Sequence, residues 1–246
     1  MSFDGKTYWL VGASEGLGRA LATQLTEEGA RVVLSARNAE RLAELAAELP
    51  GARALPMDVT DPTSVKEAAH AAGAVDGVIY NAGAYEPMRT ADLDSASAIA
   101  MCDVNYLGVL RVLGEVLPGF LARGRGDITL VGSLAGYRGL PAAIGYGASK
   151  AALVSLAETM RYDLKGSGIT VRLVNPGFIR TRLTEKNSFR MPMLMSPGQA
   201  AERVARAMRS SRFRTDFPAP FSWAIRSLRL LPDVLAFRLG GPPSPH

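Results

Sequence analysis

Val11-Gly12-Ala13-Ser14-Glu15-Gly16-Leu17-Gly18 follows a short apolar run, Thr7–Val11, and leads into a helical pattern that begins around Leu17. Glycines at 12, 16 and 18 permit a tight turn, close approach of the backbone to a pyrophosphate, and close packing of the helix on the strand. Amides at the start of the helix would face the phosphates. In this strand–turn–helix context Gly12, Ser14, Glu15, Gly16, Leu17 and Gly18 are candidates for holding a dinucleotide.

Working outward, apolar runs recur at Arg31–Ala36, Ala52–Met57, Gly77–Tyr80, Asp127–Val131 and Ile169–Asn175. Amphipathic helices alternate with them. Ala39–Leu49 puts Leu42, Leu45 and Leu49 on one stripe, and Tyr146–Lys165 does the same with Leu153, Leu156, Met160 and Leu164. Strands alternating with helices imply βαβ units, so the fold expected is α/β: a Rossmann-like, doubly wound parallel sheet with helices on both faces, three layers in all. A chain of 246 residues with 48% apolar content suits one domain. Within it, residues 1–181 read as cofactor-binding and catalytic core, 182–210 as a substrate lid and following helix, and 211–246 as a carboxyl-terminal extension.

The end of the second strand reads Ser35-Ala36-Arg37-Asn38. A carboxylate there would grip a ribose 2′-hydroxyl, whereas a basic residue accommodates a 2′-phosphate. Arg37 therefore favours NADP(H) over NAD(H), with Ser35 and Asn38 as helpers. Glu15 runs against this preference, because a carboxylate in the glycine turn repels a 2′-phosphate unless it points away.

The formal net charge of +5 suits acidic small molecules or anionic surfaces. Arginines cluster after residue 200, but no nucleic-acid module or aromatic platform accompanies them, so nucleic acid is not an expected partner. One cysteine, Cys102, forms no internal disulfide and reads as a small buried side chain; His70 and His246 offer no metal cluster. No leader segment is legible, and the expected compartment is the cytoplasm.

Tyr146 precedes Lys150 by four residues, which puts both on one helix face, and Ser133 lies upstream. A free phenol titrates near pH 10, and a neighbouring cation lowers that value. The pair suits general acid/base work.

The glycine turn, Asn81-Ala82-Gly83, Asn105, Ser133 and Tyr146-x-x-x-Lys150 stand in an order and spacing that resembles the short-chain dehydrogenase/reductase family, from about Lys6 to Thr181. Val11 departs from the family pattern, which has threonine there. The resemblance implies that Asp58 and Val59 meet the adenine, and that Asn81, Ala82 and Gly83 shape the adenosine-ribose side. It further implies that Pro176, Gly177, Ile179 and Thr181 line the nicotinamide side. Tyr146 would exchange a proton with a carbonyl or alcohol oxygen that Ser133 positions. Lys150 would bind the nicotinamide ribose and lower the Tyr146 pKa, and Asn105 would hold a water linked to Lys150. The expected function is NADP-dependent interconversion of a small, partly apolar carbonyl and its secondary alcohol. A nucleotide-sugar epimerase or dehydratase fits less well, since only 65 residues follow Thr181; a non-catalytic redox sensor or scaffold is opposed by the intact Ser133, Tyr146 and Lys150.

Residues 182–196, with Phe189, Met191, Met193 and Met195, have the composition of an adaptable lid. By resemblance the chain forms a homodimer or homotetramer through the helices Val104–Arg123 and Tyr146–Lys165. The apolar and basic stretch from Phe221 to Leu239 is expected to pack on the domain, to extend that interface or, less favoured because Pro232 interrupts a single helix, to touch a membrane surface.

Overall fold

The computed structural model describes residues 2–240; His246, with the rest of 241–246, lies outside the described residues. The strands are β1 (Thr7–Val11), β2 (Arg31–Ser35), β3 (Arg53–Ala54), β4 (Gly77–Tyr80), β5 (Gly126–Val131), β6 (Ile169–Pro176) and β7 (Arg214–Phe217). They form one parallel sheet in the order β3-β2-β1-β4-β5-β6-β7. The helices are α1 (Gly16–Glu27), α2 (Ala39–Glu48), α3 (Pro62–Ala72), α4 (Ser95–Cys102), α5 (Gly108–Arg123), α6 (Ile144–Asp163), α7 (Pro197–Arg209), α8 (Phe221–Ser227) and α9 (Asp233–Gly240).

Why the strands read as continuous apolar runs is visible in β1. Tyr8 and Leu10 join a core with α1, α2 and α7, while Trp9 and Val11 join a second core with α3, α5 and α6. A strand covered by helices on both faces needs apolar side chains at every position, not at alternate ones. Polar caps set where helices begin: Asn38 accepts from Arg41 N on α2, Asp61 from Thr63 N on α3, and Ser196 with Gln199 forms a reciprocal capping box on α7.

Three expectations need correction. Only Arg53–Ala54 of the run Ala52–Met57 pairs as strand, although Leu55 N still donates to Leu34 O and Met57 N to Ala36 O. Cys102 is half-buried, not buried. The segment 211–246 begins with a strand of the main sheet, because β7 pairs with β6 from Leu173↔Arg214 to Pro176↔Phe217. Its sequence, Arg-Thr-Asp-Phe, lacks an apolar run because it is an edge strand whose Asp216 turns inward to Tyr137 and Asn175.

α4, a π-helical turn over Asp103–Leu107 and α5 follow one another without a break. The stretch Ser95–Arg123 is long and apolar enough to cross a membrane by length and composition. It nevertheless carries the Asp103–Arg111 ion pair at 2.7 Å and packs Met101, Asn105, Val109 and Val112 into the protein.

Away from the strand ends that carry the cleft, Arg172 on β6 and Asp127 on β5 form a buried ion pair at 2.5 Å. Arg172 Nε also donates to Ser210 O at 3.1 Å, tying the sheet to the end of α7. Burial pushes the Asp127 carboxyl up, and the Arg172 guanidinium opposes that rise.

Candidate active site

The strand order reverses between β1 and β4, and loops leaving the carboxyl ends of neighbouring strands part there, as expected of a ligand cleft in an open α/β sheet. The cleft has a volume of about 1160 Å³ and extends from the glycine turn to α8.

At one end, Gly12 has φ +87°, and a Cβ on it would stand 2.5 Å from Ala82 N. A Cβ on Gly18 would stand 1.9 Å from Gly12 O, so Gly18 packs inside the turn and does not line the cleft. Asn81 Nδ2 donates to Gly12 O at 2.7 Å and fixes the turn from the neighbouring strand. α1 starts after Glu15 without a side-chain cap, in contrast to α2, α3 and α7. Its first amides therefore lack the side-chain acceptor that closes the other three helices, which suits an anion. Gly12, Ser14, Glu15, Gly16 and Leu17 line the cleft, as do Asp58, Val59, Asn81, Ala82 and Gly83. Burial works against ionisation of Asp58, but hydrogen bonds from Thr60 and the charges of Arg37 and Arg111 hold its carboxyl below the usual range.

Arg37 is exposed on the cleft wall, beside Asn38 and Arg41. The Asn38 carbonyl oxygen is engaged as the α2 cap at 2.8 Å from Arg41 N. Ser35 is a correction: it is fully buried, accepts from Trp9 Nε1 at 2.9 Å, and stands outside the cleft. Glu15 turns out to be neutralised by two arginines, Arg41 at 2.9 Å and Arg182 at 2.7 Å. Arg41 had no motif to mark it; a second basic residue one helical turn after Arg37 was the available signal.

In the middle of the cleft, Ser133, Tyr146 and Lys150 share one wall. Ser133 leaves β5 at its carboxyl end, and its Oγ accepts from Ala135 N at 3.1 Å. Tyr146 and Lys150 are one turn apart on α6, with Lys150 Nζ 5.8 Å from the Tyr146 ring centroid. Nζ donates to Val131 O at 3.0 Å, and burial alone pulls the ammonium from 10.5 to about 8. Burial raises the Tyr146 phenol above its ordinary value, opposed by a hydrogen bond with Ser133. The direction is opposite to the one implied by the resemblance, desolvation being the largest cause, with Tyr85 adding to it.

Asn105 is fully buried in the π-helical turn and does not itself line the cleft. Its Oδ1 accepts from Ala84 N at 2.7 Å, and its Nδ2 donates to Ala84 O at 3.0 Å and Ser149 Oγ at 2.9 Å. The side chain thus positions the loop after β4 against α6, and its polar atoms are engaged there and not on Lys150.

The far end is lined by residues that follow β6. Pro176, Gly177, Ile179 and Thr181 line the cleft, and Ile179 bridges to Met195, which is buried. Of residues 182–196, Arg182 to Thr184 and Lys186 to Phe189 reach the cleft, but Met191, Met193 and Met195 do not. The apolar wall instead comes from Phe178, Phe189, Phe221 and Ile225, with Phe178 5.6 Å from Phe189 edge-on and 5.8 Å from Phe221 stacked. Phe221 and Ile225 belong to α8, in the segment read from sequence as an extension. Opposite, Tyr85 sets its ring edge-on to Tyr146 at 4.9 Å and donates its hydroxyl to Asn187 Oδ1 at 2.7 Å. Lys186 Nζ donates to Tyr85 O at 3.1 Å, so the segment 182–189 is tied to the loop after β4.

Comparison with known proteins agrees with this geometry. A family described as short chain dehydrogenase matches residues 6–191. An uncharacterized oxidoreductase of Myxococcus xanthus is 34% identical over 238 residues, covering 94% of both chains. A 3-oxoacyl-[acyl-carrier-protein] reductase of Thermotoga maritima is 32% identical over 194 residues, 76% of this chain and 79% of its own. Among solved structures, a short chain dehydrogenase from Burkholderia cenocepacia in complex with NADP superposes with a TM-score of 0.88 at 27% identity, covering 98% of this chain and all of that one.

Proposed function

This chain belongs to the short chain dehydrogenase family, and we propose that it is an NADP-dependent oxidoreductase interconverting a carbonyl and a secondary alcohol, with Tyr146 as general acid and base. The observation that carries the reading is the convergence of Ser133, Tyr146 and Lys150 on one wall of a cleft whose other end is an uncapped helix start flanked by Arg37 and Arg41.

When bound, the reduced dinucleotide supplies a hydride to the carbonyl carbon. As negative charge grows on the carbonyl oxygen, Ser133 donates a hydrogen bond to it and Tyr146 delivers the phenolic proton. Lys150, a buried cation without a carboxylate, holds ribose hydroxyls and supports the phenolate left behind. In the oxidising direction Tyr146 takes the proton back. Arg37 and Arg41 would hold the 2′-phosphate of a bound NADP(H), Arg41 being paired with Glu15 in its absence. The aromatic wall of Phe178, Phe189 and Phe221 favours an apolar substrate body. Parallel titration of the protein with NADPH and NADH tests the cofactor assignment: at least tenfold tighter NADPH supports it, and equal or tighter NADH sinks it. A carbonyl screen with the preferred cofactor then tests the reaction, and loss of turnover in Tyr146→Phe with cofactor binding retained tests the mechanism.

A further inference from the structure

α8, the helical turn Leu228–Leu230 that follows it and α9 together expose a large apolar surface. Trp223 is 69% exposed, Leu230 85%, Val234 68% and Phe237 69%. On α9 only Ala236 is buried among the described side chains, so the helix lies on the protein by one narrow contact and turns Val234, Leu235, Phe237 and Arg238 outward. The segment is held in this attitude from below. Arg138 donates to Leu228 O at 3.3 Å and to Asp233 Oδ1 at 2.6 Å, and its guanidinium stands 5.5 Å from the Phe237 ring. Pro232 therefore makes a corner between two short helices, and both sides of the corner expose apolar residues.

The charge around this surface selects the occupant. Arg229 and Arg238 are exposed beside the apolar side chains, while Arg226 pairs with Asp216 at 3.3 Å and the largely exposed Asp233 pairs with Arg138 at 2.6 Å. The nearby Asp216 is buried against Tyr137 and Asn175. An exposed tryptophan, bulky aliphatics and interspersed arginines on short helices lying along the protein surface match a headgroup interface.

We propose that the α8–α9 corner docks on an anionic lipid surface, with Trp223, Leu230, Val234 and Phe237 entering the headgroup boundary and Arg229 and Arg238 meeting lipid phosphates. Because Phe221 and Ile225 on the inner side of α8 line the cleft, docking sets the cleft mouth beside the lipid, where an apolar substrate would be concentrated. The docking itself is independent of the reaction assigned to the cleft.

The full chain is mixed with vesicles of phosphatidylcholine alone or with phosphatidylglycerol added, following tryptophan emission and co-sedimentation. Trp9 is fully buried, so a blue shift reports Trp223. The expected result is a blue shift and sedimentation with anionic vesicles only. Each added arginine-to-glutamine change at Arg229 and Arg238 should weaken binding by about fivefold, and rising salt should weaken it further. Leu230→Ser with Phe237→Ser should abolish binding while the thermal midpoint and monomer content stay unchanged. Absence of binding to anionic vesicles overturns the proposal. So does binding that is insensitive to salt and to both sets of changes, or conversion from a dimer to a monomer in the serine variant without any vesicle binding.

Discussion

Lys150 Nζ lies 5.8 Å from the Tyr146 ring centroid and is anchored at 3.0 Å to Val131 O, the last residue of the strand that delivers Ser133. Lys150 is 4% exposed, and among the described residues it has no ion-pair partner, so its charge is supported by one carbonyl and by the ring face, and burial lowers its pKa.

The folded-state pKa of Lys150, about 8, lies below its ordinary 10.5. The unfolded chain therefore binds more protons between these values, and unfolding free energy rises with pH across the window from about 8 towards 10, the cost of the buried charge being present below it. Buried Tyr8, Tyr80 and Tyr137, with raised pKa values, act oppositely once pH passes about 10. Urea unfolding from pH 7 to 10 should show the rise in the native chain and a flatter profile in Lys150→Met; parallel profiles would show that burial does not depress this lysine.

Tyr146→Phe should lower kcat for carbonyl reduction by about 10²–10⁴ with NADPH affinity changed by less than about threefold. Stopped-flow reduction together with equilibrium titration separates the two effects, and turnover within tenfold of native would reassign the proton donor.

Glu15 shares its carboxylate between Arg41 and Arg182. Arg37→Ala and Arg41→Ala should each weaken NADPH by about tenfold or more, the worth of a hydrogen bond to a charged group, while leaving NADH nearly unchanged. Glu15→Gln should tighten NADPH by releasing Arg41. Weaker NADPH in Glu15→Gln would mean that the carboxylate orders Arg41 for the phosphate instead of competing with it.

Tyr85 and Asn187, 2.7 Å apart, also tie the segment 182–189 to the loop after β4. Tyr85→Phe and Asn187→Ala should each raise KM by about fivefold, and the double change should cost no more than either alone because both remove one hydrogen bond. Additive effects in that cycle would separate the two residues.

Arg172→Met leaves Asp127 buried without its guanidinium and should destabilise the fold by about 3–5 kcal/mol. Adding Asp127→Asn should recover part of that loss, as read from chemical denaturation.

The sequence by itself determined the sheet's central strands, the glycine turn, the position of Ser133 and the pairing of Tyr146 with Lys150. These rest on local rules: both-face burial makes β1 and β4 apolar along their length and keeps β2, β5 and β6 mostly so, a turn with a Cβ excluded by Ala82 demands glycine, and four residues on a helix make one turn. The tertiary structure alone decided the rest. Ser35 and Arg37 are two residues apart, yet one is spent on the Trp9 indole and the other faces the cleft. Glu15 and Arg182 meet across 167 residues of chain, and the fate of the Glu15 charge depends on that meeting. β7 escapes an apolar pattern because an edge strand is half-covered, and α8 supplies Phe221 and Ile225 to the substrate wall only because β7 carries the chain back to the cleft. Contacts between distant residues leave no period or spacing in a sequence, so only packing reveals them.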